Sequence, residues 1–341
     1  MDKQLAVAVI GVTGLIGETL ITVLEERGFP VAQLYALASN RSLGRSVSFR
    51  GRSHPVQELA DFDFAHCDLA LFCAGAQVSR EYAPKAVAAG CLVIDSSSEF
   101  RYQEDVPLVV PEVNLHALAG FGQRGIVASP EGCAIQTVLV LKPLQDVAGI
   151  ERIDVATYQS VSGEGRAAVE ELARQSIAAL SGQGAVAADA RSGQIAFNCV
   201  PHIGALQDNG YTREEMQLVW QTRKILGDAA LRMNVTAVRV PVFYGHGEAV
   251  HLQTRRALGA AQARELLRKA PGVSVMDERV AGGYPAAATE AAKRDTVYVG
   301  RIREYLAPDR GLNLWIVADN VRKGAATNSV QIAEAWAQRP I

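Results

Sequence analysis

Four side chains in this sequence are of the types that acyl chemistry at a carbonyl needs. Residues 126–137 read Ile-Val-Ala-Ser-Pro-Glu-Gly-Cys-Ala-Ile-Gln-Thr. An apolar, strand-like run ends at Ala128, a turn follows, and a helical pattern begins with Cys133 among its first residues. A cysteine at a helix N-terminus lies at the positive end of the helix dipole, which favours the thiolate. A thiolate there can attack a carbonyl and hold the acyl group as a thioester. Gln159 ends a second strand-like run, Thr157-Tyr158-Gln159-Ser160-Val161-Ser162-Gly163, just before a sharp turn. A third run, Arg239-Val240-Pro241-Val242-Phe243-Tyr244-Gly245-His246, sets an arginine and a histidine close together. Arg239 can grip a carboxylate with two parallel hydrogen bonds. His246, in a glycine-flanked loop, suits a general base or acid near neutral pH. Taken singly, each also reads as a structural polar residue.

The elements that must position these groups show in the hydrophobic pattern. Residues 5–10 form a continuous apolar strand, and Gly11-Val12-Thr13-Gly14-Leu15-Ile16-Gly17 turns it into a helix running to about Arg27. Strands follow at 33–38 and 69–73, then a helix over about 78–89 and a strand at 92–95; residues 126–128 read as a late strand of the same sheet. Buried strands alternating with helices at this spacing predict a parallel sheet wrapped on both faces. Past Thr137 the texture changes. A helix over 135–147 leads to a strand at 152–159, and Ser162-Gly163-Glu164-Gly165 opens an amphipathic helix to about Leu180. A small-residue loop covers 181–190. The β-rich runs 233–240, 248–253, 296–304 and 313–318 predict a mixed or antiparallel sheet in a second domain, and a helix over 323–337 closes the chain.

Gly11-x-x-Gly14-x-x-Gly17 follows a strand and opens a helix. Glycines there permit the tight turn and the close approach of backbone to a pyrophosphate, and the helix N-terminus receives its charge. An acid after the second strand would bind the ribose 2′-hydroxyl of NAD. The sequence has Ala38-Ser39-Asn40-Arg41-Ser42 instead. With no acid and with Arg41 and Ser42 at hand, a 2′-phosphate is favoured, and the expected cofactor is NADP.

The bulk composition bounds the rest. A length of 341 residues suggests two domains, and 49% hydrophobic residues suffice for two cores. A net charge of −2 gives no basic footprint for nucleic acid or a membrane surface. The five cysteines, Cys67, Cys73, Cys91, Cys133 and Cys199, are odd in number and lack metal-ligand spacing. No metal is expected, and reduced thiols in the cytoplasm are the default. The run 5–10 is too short for a signal sequence, and no stretch reaches the length of a membrane helix.

Taken together, the chain resembles bacterial aspartate-semialdehyde dehydrogenase almost end to end. The matching blocks are Gly11–Gly17, residues 37–44, Asp95-Ser96-Ser97-Ser98-Glu99-Phe100-Arg101, Val109-Val110-Pro111-Glu112-Val113-Asn114 and the Tyr158-Gln159 turn. They continue through Phe197-Asn198-Cys199-Val200-Pro201, residues 210–216, Arg239–His246 and Asp319-Asn320-Val321-Arg322-Lys323-Gly324-Ala325-Ala326. The resemblance implies NADP-dependent reductive dephosphorylation of β-aspartyl phosphate, or its reverse, on a small-molecule substrate in a homodimer. It implies an α/β fold with a Rossmann-type NADP-binding domain over 1–132, completed by a C-terminal helix in 320–341. The remainder, 133–319, would be an α+β substrate and dimerisation domain with a mixed sheet.

The same resemblance assigns roles. Cys133 would be the nucleophile, Gln159 would orient the intermediate and His246 would handle the proton. Arg239 would hold the substrate carboxylate, Glu214 its amine, and Arg101 would contact phosphate. Cofactor contacts would fall on Gly11, Thr13, Gly14, Leu15, Ile16, Gly17, Arg41, Ser42, Gly75, Ser162, Gly163 and Asn320, with Lys323 near the nicotinamide.

Departures from the family pattern carry weight. The family reads Asn-Pro-Asn-Cys-Thr-Thr-Ile-Gln at its nucleophile, and this chain reads Ser129-Pro130-Glu131-Gly132-Cys133-Ala134-Ile135-Gln136. Aligned without gaps on Pro130 and on Ile135-Gln136, the nucleophile position is Gly132, and Cys133 falls one residue late. One helical residue rotates a side chain by about 100°. A bulge at Glu131 would bring Cys133 back into line, since Gly132 allows unusual backbone angles. The family lysine that contacts phosphate is Gln217 here, and Ser96 stands where the family often has Asn. Three readings therefore stand: a dehydrogenase with a shifted nucleophile, a non-catalytic binding or regulatory dimer partner, or a reductase for another carbonyl that needs no thioester.

Overall fold

The computed structural model describes residues 4–182, 193–306 and 310–338. The loop expected at 181–190 therefore falls outside the described residues from position 183 on. The chain divides into two units, Met1–Glu131 with Gly324–Ile341, and Gly132–Lys323.

In the first unit, strand β1 (Leu5–Ile10) is apolar and buried, as a strand flanked by helices on both faces must be. It passes through the glycine turn into helix α1 (Leu15–Glu26). Then follow β2 (Val31–Ala38), β3 (Ser46–Phe49), β4 (Arg52–Glu58), β5 (Leu69–Phe72), α2 (Ala76–Ala88), β6 (Leu92–Asp95), α3 (Pro111–Asn114) and β7 (Ile126–Ala128). The sheet order is β3-β4-β2-β1-β5-β6-β7. Every neighbouring pair is parallel except β3–β4. This is a doubly wound sheet, and β1 has β2 on one side and β5 on the other. Such a switch point opens a crevice at the strand C-termini.

The β3–β4 hairpin escaped the sequence reading. Its turn uses positive φ at both central residues, Arg50 (φ 50) and Gly51 (φ 71). Arg50 tolerates this backbone because its guanidinium donates to the Phe29 and Val31 carbonyls, at 2.7 and 3.3 Å. The closing helix begins later than expected. Residues Arg322–Thr327 form a wider π-helical turn, and α8 is Asn328–Ala337. Asn328 donates to the Val109 carbonyl and the Ser129 hydroxyl, at 3.0 and 2.9 Å, which ties α8 to the sheet of this unit.

The second unit opens with α4 (Gly132–Ala148) and β8 (Ile150–Gln159). It continues with α5 (Arg166–Leu180), α6 (Arg213–Leu226), β9 (Arg232–Arg239), β10 (His246–Thr254), α7 (Ala260–Arg268), β11 (Val273–Val275), β12 (Val297–Glu304) and β13 (Gly311–Ala318). The sheet order is β11-β12-β13-β10-β8-β9, mixed in direction as expected. The mostly apolar α4 packs on β10 and β13 and against α6 and α7. Helix α6 starts with a capping box, in which the Thr212 hydroxyl accepts from Glu215 N–H while the Glu215 carboxylate accepts from Thr212 N–H. Neither α6 nor α7 was anticipated as an element.

Candidate active site

One edge of the second sheet gathers the chemistry. β8 and β9 run parallel with Gln159 and Arg239 in register as their last residues. β10 runs antiparallel to β8 and begins there, with Gly247 opposite Tyr158. The last residues of two strands and the first of a third, His246, thus share one end. His246 is therefore the opening residue of a strand and not a loop residue.

The groups at this end are tied together. Gln159 Nε2 donates to Glu214 Oε1 on α6 at 3.2 Å. The Ser160 N–H donates to His246 Nδ1 at 3.1 Å. Arg239 Nη1 donates to the Ser160 carbonyl at 2.6 Å, and Nη2 to Glu164 Oε1 at 2.8 Å. A Cβ on Gly163 would sit 3.2 Å from Arg239 Nη1 and 3.5 Å from His246 Nε2, so these side chains lie against the same backbone. Asn320 is a hub: its Oδ1 accepts from Gly245 N–H at 3.0 Å and from the Ser160 and Ser162 hydroxyls at 3.2 and 3.1 Å. Gln159, Glu214, Arg239, His246, Ser162, Gly163 and Asn320 are all brought together in this unit.

Burial, and next the charge of Arg239, push His246 down to about 3. The ring is neutral at physiological pH, and it does not titrate near neutrality as the sequence suggested. With Nδ1 accepting from a backbone N–H, the proton sits on Nε2. His246 thus presents a donor to whatever lies beyond Nε2.

Helix α4 begins at Gly132, so Gly132 and Cys133 are its first two residues. A Cβ on Gly132 would face Asn320, with Cα and Cβ each at 3.4 Å and the carbonyl oxygen at 3.5 Å. That is ordinary contact, and it aims at the hub of the cluster. Cys133 is 2% exposed, and its side chain acts on the buried carboxyl of Glu248 on β10. The Thr137 hydroxyl, one turn along α4, donates to Glu248 Oε2 at 2.7 Å. Burial raises Glu248 to about 8, against hydrogen bonds that pull the other way. Gln217, on α6 one turn from Glu214, is buried.

In the first unit, Gly11 has φ +87, and a Cβ on it would come within 2.9 Å of Ala74 Cβ. A Cβ on Gly17 would lie 2.3 Å from the Gly11 carbonyl oxygen. Gly14 is the N-cap of α1, Leu15 and Ile16 form its first turn, and Gly75 (φ 97) is the N-cap of α2. Thr13 and Ser42 hydroxyls are 3.0 Å apart, which joins the glycine loop to the Asn40–Ser42 turn that carries Arg41. Such a cradle, at the switch point and with the backbone bare, fits a dinucleotide pyrophosphate. Arg101 is buried in this unit, where Nε donates to the Ser129 carbonyl at 3.0 Å and Nη2 to the Ser96 carbonyl at 2.5 Å. Ser96 itself pairs its hydroxyl with Ser329 at 2.9 Å.

Two site residues escaped the sequence reading. Glu248 looks like an outward polar residue in a strand of alternating character, yet its position shares the inward face of His246 and Val250. Glu164 reads as a turn residue until its contact with Arg239 is seen. Among the described residues no group of three or more His, Cys, Asp or Glu is arranged to hold a metal, and no helix is long and apolar enough to cross a membrane.

Residues 6–121 match the family model for the semialdehyde dehydrogenase NAD binding domain, and 141–323 match that for the semialdehyde dehydrogenase dimerisation domain. The chain is 56% identical over 334 residues to the aspartate-semialdehyde dehydrogenase of Legionella pneumophila, covering 98% of this chain and 96% of that protein. It superposes on the crystal structure of aspartate semialdehyde dehydrogenase II complexed with ASA from Vibrio cholerae with a TM-score of 0.97, at 48% identity and over all of both chains. A probable aspartate-semialdehyde dehydrogenase from Pseudomonas aeruginosa gives 0.94 at 36% identity, over 99% of each chain.

Proposed function

The chain belongs to the aspartate-semialdehyde dehydrogenase family, and on that premise we propose that it keeps the family's ligand sites while lacking the nucleophile that makes the thioester. In this reading Glu214 and Gln159 receive the amine and carbonyl ends of a short amino-acid aldehyde, and Arg239 its carboxylate. His246, neutral with Nε2 protonated, donates to the carbonyl oxygen. The glycine cradle, with Arg41 and Ser42, takes NADP in preference to NAD. Bound there, NADP would supply the hydride carrier that the family's reaction uses. The protein acts as a homodimer or pairs with a catalytic relative, and serves amino-acid biosynthesis as a binding or regulatory member.

One observation carries the proposal. The Cβ direction at Gly132 aims at Asn320, while Cys133 is 2% exposed and its side chain acts on Glu248. Attack geometry tolerates little displacement, and about 1 Å can cost a hundredfold in rate. The replacement of the family's phosphate-contacting lysine by Gln217 points the same way, because the thiol and the cation serve the same acyl-phosphate step.

The test is NADP- and phosphate-dependent oxidation of L-aspartate β-semialdehyde by the purified protein. The wild type is expected to bind NADPH without turnover, and Gly132→Cys combined with Gln217→Lys is expected to gain it. Turnover in the wild type that disappears in Cys133→Ser would overturn the proposal.

A further inference from the structure

The Arg239 guanidinium is occupied before any ligand arrives. Its side chain is 8% exposed. One terminal nitrogen, Nη1, is fixed on the Ser160 carbonyl at 2.6 Å. The remaining edge, Nη2 with Nε, is the one on which a carboxylate can lay two parallel hydrogen bonds. Nη2 is held by Glu164 Oε1 at 2.8 Å, and Nε is buried with no hydrogen-bond partner. An internal carboxylate therefore sits on one half of the fork, while the other half waits for an acceptor.

We infer that Glu164 is a specificity-determining residue, an internal carboxylate that competes with a ligand's carboxylate for the Nη2–Nε edge of Arg239. The inference rests on the reading above, in which Arg239 receives that carboxylate. Two anions cannot share one edge without mutual repulsion, so a ligand carboxylate binds only as Glu164 leaves. Glu164 is the member of the pair free to do so. Its side chain is 54% exposed, at the end of the turn Val161–Glu164. The next residue, Gly165, has φ +93 and breaks the chain direction before α5. Arg239 is buried in a strand and cannot follow. Short amino-acid ligands thus meet a built-in competitor, and ligands without the carboxylate do not.

The test uses two unreactive probes that differ only in that group. L-asparagine carries an amine, a side-chain carbonyl and the carboxylate, whereas β-alaninamide is the same molecule without the carboxylate. Each is titrated by ligand-observed NMR into the wild type, Glu164→Gln, Glu164→Ala and Arg239→Ala, with NADPH binding as the check on folding. The inference expects L-asparagine to bind the Glu164 variants about fivefold tighter than the wild type, or about 1 kcal/mol at 1.4 kcal/mol per tenfold. β-Alaninamide should change by less than about twofold. If L-asparagine binds the Glu164 variants no tighter, yet Arg239→Ala weakens it, the inference falls and the ligand reading stands. If Arg239→Ala leaves L-asparagine unaffected, or if no form binds it, both fall.

Discussion

Gly17 and Gly132 both lie in the first turn of a helix that follows a strand, and their surroundings differ completely. A Cβ on Gly17 would sit 2.3 Å from the Gly11 carbonyl oxygen and 2.6 Å from Val12 Cα, while one on Gly132 would meet nothing nearer than 3.4 Å. In the first unit the glycine is a steric requirement, because helix and loop close on each other with no room between them. In the second unit a Cβ would meet only ordinary contacts, so glycine there is not required by packing. The same residue type is a steric requirement at one helix start and not at the other.

The harshest way to break this contrast is Gly17→Ala. The clash is with backbone, which cannot swing aside as a side chain can, so overpacking of about 2–3 kcal/mol is expected. NADPH affinity should fall by about a hundredfold or more, since the loop that cradles the phosphates must open. Thermal unfolding and a fluorescence titration with NADPH read both effects. An alanine variant with unchanged melting and NADPH affinity would show that the glycine is not required.

Glu248 and His246 on β10 are buried titratable groups shifted in opposite directions. Glu248 is raised to about 8 from 4.5, so between those values the folded state keeps a proton that the unfolded chain releases, and stability falls as pH rises. His246 is lowered to about 3 from 6.5, so between those values the unfolded chain holds a proton that the folded state refuses, and stability rises with pH. From about 4.5 to 6.5 the two slopes cancel. From 6.5 to 8 Glu248 acts alone, at about 1.4 kcal/mol per pH unit, for a loss of about 2 kcal/mol. Glu248→Gln should abolish that alkaline loss while keeping the acid limb set by His246. Denaturant unfolding at a series of pH values decides it, and an alkaline limb that survives in Glu248→Gln refutes the assignment.

Gly132→Cys sharpens the contrast from the other side. Ordinary contact distances predict a stability change under about 1 kcal/mol, as is usual where no named strain is introduced. The new thiol, first in its helix and facing Asn320, should react with iodoacetamide ahead of the native cysteines. A loss of several kcal/mol would mean that Gly132 is as sterically constrained as Gly17.

Much of the fold was legible because buried strands and glycine turns leave strong local signals. The run Leu5–Ile10 followed by Gly11–Gly17 could be read almost to the residue. The β3–β4 hairpin was not, because its turn relies on Arg50, a residue that takes positive φ only with distant carbonyls to hold it. In the site, Gln159 and Arg239 were legible as strand-end polar residues, whereas His246 read as a loop residue and opens β10. The direction of each side chain around the start of α4 was not. Spacing places Cys133 in the first turn, but the sheet that packs beneath decides whether the thiol meets a ligand or Glu248. Glu164 was silent for a similar reason, since only the fold brings its turn to Arg239.

The smallest expected effect is at Cys133 itself, and it sharpens the comparison most directly. Its thiol is buried against Glu248, whereas Cys199 is exposed. Reaction with an alkylating agent needs a thiolate that solvent can reach. Iodoacetamide at neutral pH should therefore label Cys199 in the native protein, and Cys133 only as fast as the chain opens. Cys133→Ser should bind NADPH and L-asparagine within about twofold of the wild type, since neither ligand meets that side chain. Mass spectrometry of the labelled peptides resolves the two sites. Rapid, selective labelling of Cys133 would mean that the thiol leaves Glu248 for the ligand side, and the helix start would then supply its nucleophile one residue late. Slow labelling at Cys133 beside fast labelling at Cys199 would leave Gly132 as an unfilled position at the centre of an otherwise furnished site.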